Sequence, residues 1–167
     1  MGIVDAAYVA IGYGAVRPWV ERWQDLEDAK QQVEVVCQVG TDISPDRARR
    51  AFLMFFRLCR EAADHIEDET GLPAQAHVHA DPALRICDAL AQTTKHRTRD
   101  KKPGTKDPDP MTARISQVES TPNGERVTIA WNTWHGLTGT EDALALARRC
   151  ALAWQRFFQL HGLNPAA

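Results

Sequence analysis

At 167 residues, 44% apolar and 25% charged, the chain has the length and composition of one globular domain with a sizeable core. A net charge of -2 excludes a strongly basic protein drawn as a whole to nucleic acid or to a membrane surface, and leaves room for a local patch only.

The first sixteen residues, MGIVDAAYVAIGYGAV, are apolar but lack an early positive charge, contain Asp5 and are too short to span a bilayer. They read as a packed arm or short helix. Met1-Gly2 begins a myristoylation motif that Ala6 breaks. Pro18 then opens a helix over 17–39, with Trp19, Trp23, Leu26, Val33, Val36 and Cys37 near helical spacing and a charged outer face running from Glu21 to Lys30. Gly40-Thr41-Asp42 closes it.

Residues 44–70 predict the central helix. Ser44 suits the N-cap, Pro45 the first helical position, and Gly71 with Pro73 the stop. Its middle carries Phe52, Leu53, Met54, Phe55, Phe56 and Leu58, apolar around most of the girth, so it must be covered on several sides. Residues 72–80 read as a connector, and Asp81-Pro82 starts a helix over 82–97 with Leu84, Cys87, Leu90, Ala91 and Thr94 inward.

From Lys95 to Asp109 six Lys or Arg stand against three Asp, with prolines that suit no core, so 98–110 reads as a flexible charged loop. Alternating stretches around Pro122-Asn123-Gly124 predict a β-hairpin over 112–131. NTWHGLTG reads as a loop, and Thr140 as the cap of a last helix over 140–161. The expected fold is mainly α: a single domain over 1–167, an antiparallel bundle of about four long helices with a β-hairpin inserted before the last.

Cys37, Cys59, Cys87 and Cys150 lie far apart, form no Cys-x-x-Cys pair and each falls in an apolar helical pattern. Buried free thiols in a reducing cytoplasm are the preferred reading over a disulfide or metal framework. His77 and His79, two apart in AHVHAD, lack a matching ligand set, as do Asp64, His65 and Asp68, so no metal or other cofactor is expected. Gly12-Tyr13-Gly14 lacks the third glycine of a dinucleotide loop, and no nucleophile elbow occurs.

Polar groups on apolar helix faces carry what signal there is. His65 follows Phe55, Leu58 and Ala62 at helical spacing and leans inward, with Arg60, Glu61 and Asp64 beside it. Asp88, Gln92 and Lys95 form a ridge on the third long helix, with His96 at its end. Antiparallel packing would bring His65 toward Arg85 or Asp88. The bland reading has Asp88 paired with Lys95 or an arginine and His65 satisfied inside the core. The functional one is a cleft with acid–base or phosphate-binding groups.

The stretches AFLMFFRLCREAADHIED, LRICDALAQTTKHR and ALALARRCALAWQRFFQLHG, about half the chain, resemble a broad set of uncharacterised bacterial helical proteins. Through them the chain resembles the HEPN superfamily of helical bundles. That resemblance implies metal-independent RNA cleavage by an Arg-x4–6-His motif at a dimer interface. Two spacings match, Arg60 to His65 and Arg156 to His161; Glu61 and Phe157 follow these arginines where the family often has Asn, Asp or His. On this reading His65 is the acid or base toward a ribose 2′-hydroxyl and Arg60 stabilises the phosphorane charge. Asp88, Lys95, His96, Arg97 and Arg99 would bind substrate, and RNA would approach along the basic segment. The rival expectations are a non-catalytic interaction module or homodimer, with Trp134 and Trp19 offered to a partner, and a small-ligand pocket near His65 and Asp88.

Overall fold

The computed structural model describes residues 18–40, 43–96 and 107–166, apart from the side chains of 94–96. The expected N-terminal arm, the close of the first helix at 41–42 and the charged segment 97–106, with Arg97 and Arg99, lie outside the described residues. Among those residues the protein is mainly helical with a small antiparallel sheet. The order is α1 (Trp19–Val36), α2 (Pro45–Thr70), α3 (Ala74–Ala80), α4 (Pro82–His96), β1 (Met111–Thr121), β2 (Gly124–Thr133), β3 (Thr138–Asp142) and α5 (Ala143–His161).

Local chemistry sets the ends of α2. The Ser44 hydroxyl accepts from the Arg47 N–H at 3.3 Å, and Gly71 takes the left-handed conformation (φ 70°) while its N–H reaches the Glu67 carbonyl at 2.9 Å. Phe52, Phe55 and Phe56 are fully buried. They lie at the middle of a helix that packs against α1, α3, α4, α5, β1 and β2. The apolar girth is not covered everywhere: Met54 is 48% exposed.

Four boundaries differ from the sequence reading. Residues 74–80 form α3 rather than a plain connector. The helix-forming run AQAHVHA buries Ala74 and Val78, and the Gln75 N–H is held by Glu67 Oε2 at 2.8 Å. The stretch expected as loop before the last helix supplies β3, which pairs Thr138–Asp142 with Thr128–Asn132 and makes β2 the central strand. Gly139 is what permits this pairing, because the Trp131 indole lies where a Cβ would stand. The α5 cap is therefore Asp142, not Thr140: its Oδ1 accepts from the Ala145 N–H at 2.9 Å.

The first helix ends at Val36 instead of 39, leaving Val39 69% exposed. Trp19 is buried at 7% exposure against Phe158, so it is not offered to a partner; Trp134 is 54% exposed. The N-terminus of α1 lacks a capping side chain of its own, and the Glu69 carboxylate on α2 accepts its Trp19 N–H at 2.6 Å. The sheet buries Met111, Ala113, Ile115, Val127 and Ile129 toward the helices. Its β1–β2 turn rests on the end of α1. Gly124 has φ 101°, and a Cβ there would run into the Cys37 carbonyl. None of the described helices is long and apolar enough to cross a membrane.

Candidate functional site

The antiparallel run of α2 against α4 produces two distinct levels. Cys59 and Cys87 point into the core, whereas the next residue on each helix, Arg60 and Asp88, meets at the edge. Arg60 Nε donates to Asp88 Oδ1 at 2.6 Å and Arg60 Nη1 to Asp64 Oδ1 at 3.1 Å. Gln75 Nε2 also donates to that Asp64 oxygen. Asp88 is buried (6% exposed), so the guanidinium answers the cost of placing a carboxylate there. Burial alone would lower the Arg60 pKa, but the Asp88 and Asp64 carboxylates prevail and hold it above its ordinary value.

Beside this pair lies a cleft of about 680 Å³. Leu53, Met54, Leu90 and Ala91 give it an apolar bed, and Arg50, Arg57, Arg60, Glu61, Asp64 and Gln92 its polar wall. Arg57 and Glu61 pair at 3.3 Å on the exposed surface. Arg50 forms no ion pair with a described residue. A mostly apolar concavity with a few charged groups on one side is the usual form of a small-molecule site.

His65 does not line this cleft. Five residues along α2 turn the direction by about 500°, or some 140° net, which carries His65 away from Arg60 toward α1. There its pKa is lowered, first by burial and then by Arg22, while Glu61, Asp64 and Asp68 pull the other way. Arg60 and His65 are thus not brought together. Asp88 joins Arg60 rather than His65, and Arg85 is committed elsewhere, donating to the Asp109 carbonyl at 2.5 Å. Lys95 and His96 end α4 one turn beyond Gln92, but their side chains are outside the description. The second spacing fares no better: Arg156 is exposed and bonds the Leu152 carbonyl of its own helix, while His161 stacks on Phe157.

His77, considered above with His79, donates from Nε2 to the Ala153 carbonyl (2.9 Å) and packs on Trp154 and Phe157; His79 is exposed on the far side of α3. What the sequence alone did not reveal is that Arg50 and Arg57 line a cleft with Met54. The two arginines look like a solvated helix face until α4 is seen to border it. Comparison with family models, with curated proteins and with solved structures finds no match.

Proposed function

We propose that the α2–α4 cleft binds a small amphipathic anion, its apolar body on Leu53, Met54, Leu90 and Ala91 and its phosphate or carboxylate head on Arg50 and Arg57. The observation that carries this is the pairing of an apolar bed with two exposed guanidinium groups beside an already neutralised Arg60. A metal-free ribonuclease is favoured less by the same geometry. Its arginine is held by two carboxylates, and its histidine sits on another face. Single-stranded RNA also wants aromatic platforms for base stacking, and the aromatic residue lining the cleft, Phe56, is fully buried.

Isothermal calorimetry with dodecyl phosphate tests the reading. Saturable 1:1 binding is expected, weakened at least tenfold by Arg50→Glu combined with Arg57→Glu and much less by His65→Ala. No binding, or binding indifferent to the arginines, rejects it. A short RNA oligonucleotide, incubated with wild type and with His65→Ala, tests the nuclease reading: cleavage lost in the variant would restore it. Self-association has one specific support, the exposed Trp134 and Leu137 (54% and 65%) near the β2–β3 connection. Light scattering at high concentration, with and without Trp134→Ser, tests whether a homodimer uses them.

A further inference from the structure

Cys59 on α2, Cys87 on α4 and Cys150 on α5 converge where the three helices meet, with their Sγ atoms all within 4.8 Å of one another. All three are buried, at no more than 1% exposure. The thiols of Cys87 and Cys150 donate to the Phe56 and Ala83 carbonyls at 3.2 and 3.5 Å, bonds that are weak because sulfur is a poor donor. Trp154 stands one turn after Cys150 on the same helix. The indole N–H of Trp154, a residue with no exposed surface, has no hydrogen-bond partner.

We propose that Cys59, Cys87 and Cys150 form a buried three-sulfur site for a soft, low-coordinate cation, and that Cu(I) is the ion whose chemistry it fits. At a metal–sulfur length of about 2.3 Å, a planar trigonal set places its sulfurs about 4 Å apart, which the existing arrangement reaches with small side-chain adjustments. Zn(II) asks for a fourth ligand. Among the described residues no fourth His, Cys, Asp or Glu joins the three sulfurs.

Coordination forms three metal–sulfur bonds, sends the three thiol protons to solvent and gives up the two weak S–H···O bonds of Cys87 and Cys150.

The experiment is an anaerobic titration of the reduced, folded chain with Cu(I) against a colorimetric chelator, followed by X-ray absorption at the copper edge. The expected result is one Cu(I) per chain with three sulfur neighbours. Cys37→Ser should leave this unchanged, whereas Cys59→Ala, Cys87→Ala and Cys150→Ala each weaken it at least tenfold. Zn(II) should compete poorly. If an alanine variant loses its circular dichroism, the sulfur count in wild type decides alone. No Cu(I) retained, fewer than three sulfurs, or loss of binding in Cys37→Ser would overturn the assignment. Dodecyl phosphate binding is independent of it.

Discussion

Two adjacent rungs of the same helix pair behave differently. At 60 and 88 a guanidinium and a carboxylate satisfy each other across a 2.6 Å hydrogen bond. At 59 and 87 the side chains are weakly polar and buried, and they meet a third sulfur from α5. The difference teaches that burial depth and partner strength separate structural chemistry from available chemistry. An ion pair at a half-buried edge is closed to other uses, because either partner left alone would be a stranded charge. Thiols deeper in the core are held by weak bonds that a better ligand can displace.

The comparison is broken most severely by removing one charge. Asp88→Ala leaves Arg60 half-buried with only Asp64, and should cost about 3–5 kcal/mol in urea unfolding. The joint replacement Arg60→Met with Asp88→Leu should recover most of that loss. If the two single changes are instead mild and additive, Arg60 is free to serve the cleft. Replacing Gly124 by Ala should cost nearly as much, about 2–4 kcal/mol, since it combines a left-handed backbone with a collision against the Cys37 carbonyl. Thermal denaturation would read it.

On the sulfur rung, Cys87→Ala in the metal-free protein should cost only about 1 kcal/mol, the loss of one small apolar group and one weak bond. A loss above about 3 kcal/mol would show that the thiols are themselves structural anchors. The smallest effect belongs to the surface. Arg148 holds Glu34 with two bonds, at 2.8 and 2.6 Å, but both side chains are solvent-accessible, so Arg148→Ala should change stability by less than about 1 kcal/mol.

His65 gives a pH signature of its own. Because the folded protein lowers its pKa, the unfolded chain takes up the proton first as the solution is acidified. The stability linked to neutral His65 is therefore complete above the ordinary histidine value of about 6.5 and is lost as pH falls from there through the folded value. Urea midpoints at successive pH values should show this slope in wild type and a flatter one in His65→Gln. An unchanged slope would place the titration elsewhere.

How much of this was legible in the sequence follows from the range of the forces involved. Helix ends set by neighbouring residues, such as Ser44-Pro45 and Gly71, are written locally, as is the Asn123-Gly124 turn. The strand β3 is not, because Gly139 favours a strand only when Trp131 lies across it. Inward-facing Cys59, Cys87 and Cys150 could be read as buried from their periodicity, but their convergence depends on how three helices cross. The same holds for the candidate site. Arg60 was readable as a polar group near α4 and Asp88 as its kind of partner, whereas the Arg-x4-His spacing concealed the turn of the helix that separates Arg60 from His65. Arg50 and Arg57 had no signal of their own, since a charged face on a helix looks the same whether or not a neighbour walls it in.

The account stands most directly on where a ligand sits. Amide correlation spectra of the labelled chain, titrated with dodecyl phosphate, should show saturable shifts concentrated at residues 50–61 of α2 and 90–92 of α4, with His65 and the sheet little changed. Shifts centred on His65 and α1, or no saturable shifts at all, would contradict it.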